Sequence, residues 1–157
     1  MTSSPLDFEY IDCHTHFFPP QIFRAIWDFF ERPNEELEIQ GWPINYKLSP
    51  DELVRFLVSK NVKAFTTYNY AHKKDIADYI NEWVNDFCKT YKQAIPFGCV
   101  WPGDKDRNEY IRKILDEYNF HGIKIQPLVQ NFYLDDERMY EIYDLLIDRA
   151  KWLCVHI

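Results

Sequence analysis

Short apolar runs alternate with longer amphipathic ones along this chain. The short runs, at residues 8–13, 62–69, 94–101, 122–126 and 152–157, have the length and the β-branched and aromatic content of buried strands. Between them the apolar positions recur every three or four residues, which predicts helices over 21–31, 50–60, 73–91, 106–118 and 136–150. Two of these are well marked. Ser49-Pro50-Asp51-Glu52 offers a serine N-cap, a proline in the first helical position and a glutamate three residues after the cap, followed by Leu53, Phe56 and Leu57 as an apolar face. Asp75, Ile76, Tyr79, Ile80, Trp83, Val84 and Phe87 define one side of a long helix that would lie on a sheet.

Strands alternating with helices imply βαβ units and a parallel sheet. The later strands start about 30 residues apart, the repeat of a barrel or of a doubly wound sheet. The first interval is longer. Residues 32–48, with Pro33, Gly41, Trp42 and Pro43, read as a loop insertion within a single domain spanning 1–157.

In both parallel architectures ligands sit at the C-terminal ends of the strands. That rule sorts the histidines. In Ile11-Asp12-Cys13-His14-Thr15-His16 the imidazoles are two residues apart at the end of the first strand, so His14 and His16 point the same way and can grip one ion. Asp12 shares their face and is expected to orient an imidazole or balance the charge of the metal. His156, ending Trp152-Leu153-Cys154-Val155-His156, falls on the same functional face. His72 follows the second strand there on a loop, whereas His121 precedes the fourth strand and is expected at the opposite, structural end. Tyr68, Tyr70 and Trp101 follow strands two and three, and suit either the pocket or the core.

Composition narrows the function. The 157 residues are 46% hydrophobic and 27% charged, as in a globular protein with material for one core. Eighteen basic against 25 acidic residues give a net charge of -7 with the bases scattered, which argues against nucleic acid and anionic membranes as partners. The first residues are not a basic-then-apolar leader, and no apolar run approaches the roughly 20 residues that span a bilayer, so a cytoplasmic location is expected. Cys13, Cys88, Cys99 and Cys154 lack Cys-x-x-Cys spacing and read as reduced thiols.

The first motif, Ile11-Asp12-Cys13-His14-Thr15-His16-Phe17-Phe18-Pro19, resembles the first-strand metal motif of the amidohydrolase superfamily. It is most similar to the branch of aminocarboxymuconate semialdehyde decarboxylase and related decarboxylases, hydratases and hydrolases. A second stretch, His121-Gly122-Ile123-Lys124-Ile125-Gln126-Pro127, then Leu134-Asp135-Asp136 and Cys154-Val155-His156-Ile157, is similar to that branch's fourth and fifth strands. The resemblance implies a (β/α)8 TIM barrel of which this chain carries about the first five strands. It also implies a divalent metal, usually zinc, on His14, His16 and His156. A further histidine after strand six and an aspartate after strand eight would lie beyond Ile157, so completion by missing C-terminal residues or by a homo-oligomer is expected.

On this reading the chain is a metal-dependent hydrolase or non-oxidative decarboxylase acting on a small, carboxylated substrate, with its ligand set divided. Lys124 is the one candidate for a catalytic role. In some superfamily members a strand-four lysine is carboxylated and bridges two metals, but a structural or substrate-charge-pairing role is favoured here. The alternative is an open α/β metal-binding module without turnover.

Overall fold

A computed structural model describes residues 8–33, 40–45 and 47–156. The N-terminal stretch 1–7, part of the predicted insertion and Ile157 at the end of the last predicted strand lie outside the described residues.

The elements are β1 (Tyr10–Asp12), α1 (Pro20–Glu31), α2 (Pro50–Ser59), β2 (Val62–Thr66), α3 (Ala77–Thr90), β3 (Ala94–Ile95), β4 (Gly98–Cys99), α4 (Arg107–Arg112), β5 (Gly122–Ile125), α5 (Pro127–Gln130), α6 (Tyr140–Asp148) and β6 (Trp152–Val155). All strand pairs are parallel, in the orders β1-β2-β3 and β4-β5-β6. The strand expected over 94–101 is divided. Pro96 has no N–H for a ladder bond, so the chain turns a corner at Pro96-Phe97 and changes neighbour from β2 to β5. The freed groups are satisfied locally: Phe97 N–H donates to Thr67 Oγ1 (3.1 Å), and His121 N–H to the Pro96 carbonyl (3.0 Å). A single curved run of strands therefore holds two ladders.

The helices cover one face of it. α2 starts with the expected capping box, Ser49 Oγ accepting from the Glu52 amide and the Glu52 carboxylate accepting from the Ser49 amide at 2.8 Å. α3 buries Ala77, Ile80, Asn81, Val84 and Phe87. It starts four residues later than predicted, because Asp75 adopts φ 59° and gives its N–H to Asp104 (2.9 Å). α4 relaxes into a π-turn over Lys113–Glu117, closed by the Tyr118 amide on the Lys113 carbonyl at 3.2 Å. Around β1 to β3 the core is Phe17, Val54, Leu57, Phe65, Phe87 and Ala94, with Phe17 stacked 4.8 Å from Phe65. Around β4 to β6 it is larger, centred on Ile80, Ile111, Ile123, Ile125 and Ile142. Asn81 lies wholly buried in it and grips both backbone groups of Cys99, donating from Nδ2 to the carbonyl (3.0 Å) and accepting the amide on Oδ1 (2.8 Å). Gly122 lets β5 approach β6, since a Cβ there would run into the Trp152 carbonyl. β1 and β6 each have one partner strand and form open edges, with Ile11 65% and Trp152 70% exposed.

Candidate metal centre

The register of β1 on β2 dictates how the histidine segment is held. Ile11 pairs with Ala64 and Asp12 with Phe65, so the chain beyond β1 runs beside the chain beyond β2. The two continue to bond after the strands end. Tyr68 N–H donates to the Thr15 carbonyl (2.9 Å), and the Thr15 hydroxyl donates to the Thr66 carbonyl. Asp12 accepts the backbone N–H of His14 on Oδ1 at 3.0 Å, an Asx turn that directs the chain into His14-Thr15-His16.

His14 and His16 lie edge-on with ring centroids 5.1 Å apart, and His156, arriving from β6, meets His14 edge-on at 6.2 Å. The histidines at residues 14, 16 and 156 are thus gathered at the C-terminal ends of the first and last strands. His16 Nδ1 is 2.8 Å from the Tyr68 carbonyl. A carbonyl can only accept, so Nδ1 carries the proton and Nε2 keeps its lone pair. Burial, only partly opposed by that hydrogen bond, brings the His16 pKa down to about 4, with His14, Lys124 and His156 adding smaller effects in the same direction. His16 is therefore a neutral imidazole at pH 7, with one nitrogen committed to the backbone and the other available. His156 is also held below its ordinary pKa, first by burial and then by Lys124 and His14.

This donor set suits a divalent ion of borderline softness. Three imidazoles at about 2 Å from a tetrahedral ion would place their ring centroids about 5 Å apart. The His14–His16 separation matches that figure, and His14–His156 is wider by about 1 Å. Among the described residues no group of three or more His, Cys, Asp or Glu is arranged to hold a metal ion.

Lys124 stands in the otherwise apolar β5 and is 1% exposed. Its ammonium donates to the Ile125 carbonyl at 2.9 Å, and burial pulls its pKa down to about 8, weakly opposed by Cys154. Tyr68 presents its ring edge to His14 at 5.5 Å and accepts the Cys154 thiol on its oxygen at 3.0 Å. Tyr70 belongs to the core, edge-on to Phe18, and Trp101 packs against the core. His72 is half-buried on the loop after β2, whereas His121 lies exposed at the N-terminal end of β5. The sequence did not mark the Tyr68 carbonyl as the partner of His16. The signal was the register, which once known brings Thr15 opposite Tyr68.

Parallel strands joined by helices define the class as an α/β fold of parallel sheets, the architecture of part of a barrel. The sequence profile described as "Amidohydrolase" matches residues 11–156, and the chain belongs to that family. Among solved structures it is similar to 5-carboxyvanillate decarboxylase from Novosphingobium aromaticivorans, with bound manganese and 3-methoxy-4-hydroxy-5-nitrobenzoic acid. That match has 18% identity and a TM-score of 0.69, covering 96% of this chain and 51% of the decarboxylase. It is similar also to 4-oxalomesaconate hydratase from Rhodopseudomonas palustris, at 18% identity and a TM-score of 0.58 over 94% of this chain and 52% of the hydratase. An amidohydrolase II structure matches with a TM-score of 0.72 at 14% identity, over 93% of this chain and 49% of that one. The chain spans about half the length of these structures, which share the fold. No curated protein matches it. Among the described residues no helix is long and apolar enough to cross a membrane.

Proposed function

We propose that this chain carries the histidine part of the metal centre of a hydrolase or non-oxidative decarboxylase that acts on a small carboxylated substrate. The observation behind this is the state of His16: neutral, with Nδ1 bonded to the Tyr68 carbonyl and Nε2 free, beside His14 and within one further ring of His156. His14, His16 and His156 would hold the ion, and Asp12 fixes the turn that carries His14. When bound, a divalent ion supplies Lewis acidity towards a carboxylate or carbonyl, or lowers the pKa of a water. Lys124 provides a positive charge buried behind the histidines, suited to pairing with a substrate carboxylate.

Three imidazoles favour zinc, although the decarboxylase neighbour holds manganese. The four cysteines are all unpaired, which suits a reducing compartment such as the cytoplasm. We also propose that a second copy covers the open edges of β1 and β6. Light scattering that returned the mass of one chain at all concentrations would refute this.

Elemental analysis after dialysis against zinc and manganese tests the centre itself. The wild-type chain is expected to retain about one equivalent of metal, and His14→Ala with His16→Ala to retain none. Equal retention by both proteins would overturn the assignment.

A further inference from the structure

We propose that Tyr68 is a positioning residue that ties the strand carrying His156 to the segment carrying His14 and His16. The proposal rests on the metal centre described above and assigns the group that holds its two halves in register.

β1 and β6 stand at opposite ends of the strand run, so no ladder hydrogen bond joins them. The imidazole of His156 is exposed, and its place depends on how firmly the end of β6 is held. Tyr68 reaches both sides. Its amide donates to the Thr15 carbonyl at 2.9 Å, and its carbonyl accepts from His16 Nδ1 at 2.8 Å, so its backbone belongs to the histidine segment. Its ring leaves that segment, passes His14 edge-on at 5.5 Å and is braced from behind by Phe97, edge-on at 4.9 Å. Its oxygen then accepts the thiol of Cys154 at 3.0 Å, and Cys154 lies in β6 two residues before His156. The path from His16 through Tyr68 to Cys154, two residues before His156, is thus one hydrogen bond, one rigid aromatic side chain and one more hydrogen bond.

Packing alone does not account for the phenol. A phenylalanine would keep both ring contacts, and the hydroxyl is the atom that spans to β6. Groups that orient metal ligands from behind typically change affinity by about 10- to 100-fold when removed. Tyr68 acts on His156 at one remove, so the lower end applies.

The test uses the full chain as wild type, Tyr68→Phe, Cys154→Ala and the double variant, with zinc and cobalt(II) as probes. Each single substitution is expected to weaken zinc binding by about tenfold. The double variant should be no weaker than either single, because both remove one shared interaction. Thermal unfolding of Tyr68→Phe should stay near that of wild type, and its cobalt absorption spectrum should move towards that of His156→Ala. A merely structural role would not produce that spectral change. Wild-type zinc affinity and an unchanged cobalt spectrum in Tyr68→Phe would overturn the proposal.

A wild-type chain that takes up neither metal would instead overturn the metal centre. A metal-free measurement then decides the brace alone. Alkylation of Cys154 by iodoacetamide, read by mass spectrometry against the exposed Cys13, should be several-fold faster in Tyr68→Phe, and equal rates would show that the brace does not exist.

Discussion

Replacing Lys124 with methionine should make this protein more stable at neutral pH. The lysine is 1% exposed, and its pKa lies near 8 instead of the ordinary 10.5. Protonated at pH 7, it therefore carries a folding penalty of about 3 kcal/mol, at roughly 1.36 kcal/mol per tenfold change in proton affinity. Methionine has a similar length and no charge, and loses only the ammonium bond to the Ile125 carbonyl, about 1 kcal/mol. That carbonyl keeps the His156 amide at 3.2 Å, so it is not orphaned. The net gain is about 2 kcal/mol at pH 7.

The pH dependence supplies a second check. The unfolded lysine binds its proton more tightly than the folded one, so the wild-type chain gains stability as pH rises from about 8 to 10.5. The penalty accordingly falls below about 1 kcal/mol at pH 10, and the advantage of the variant disappears. Urea unfolding of both proteins at pH 7 and pH 10, with reductant present, measures this directly. A variant less stable than wild type at pH 7, or a difference that does not change with pH, would refute the reasoning. A stabilised variant that no longer acts on a carboxylated substrate would mark Lys124 as a residue held at a cost to stability.

Other consequences can be measured in the same way. Asn81→Leu leaves the amide and carbonyl of Cys99 buried without partners and should cost roughly 2–5 kcal/mol by urea unfolding; a loss under about 1 kcal/mol would mean that the corner satisfies them otherwise. The pKa of His16 is about 4 when folded and 6.5 when free, so its contribution is complete above pH 6.5 and lost as acid first protonates the unfolded chain. The metal-free protein should therefore lose about 3 kcal/mol between pH 7 and pH 4 through this group, a slope that His16→Asn should remove. Ser49→Ala opens the capping box of α2 and should lower stability by about 1 kcal/mol.

Much of this arrangement was legible in the sequence for physical reasons. Period-two and period-three-to-four patterns find β5 and α3 because burial acts on single residues, and the His-x-His spacing is informative because a strand alternates its faces. What escaped depends on partners distant in the chain. Ala94 to Trp101 is apolar throughout, so the pattern hid the missing N–H of Pro96 and the change of neighbour it forces. The helix predicted from Lys73 starts at Ala77 because Asp75 turns to a positive φ and is tethered to Asp104. At the centre, the positions of His14, His16 and His156 followed from strand ends, and Lys124 was conspicuous as a charge in an apolar run. The role of Tyr68 was hidden because a backbone carbonyl has no letter in the sequence.

The corner at Pro96-Phe97 has a consequence for how the molecule opens. Its two ladders share no strand-to-strand hydrogen bond, so they can exchange amide protons as separate cooperative units. His14 and His16 ride on one unit and His156 on the other. Any ion gripping all of them would add a clasp between the two units, beside the Tyr68–Cys154 hydrogen bond and the shared core. Its binding energy should then appear as slower hydrogen exchange at Phe97 and Gly98, where one ladder gives way to the other.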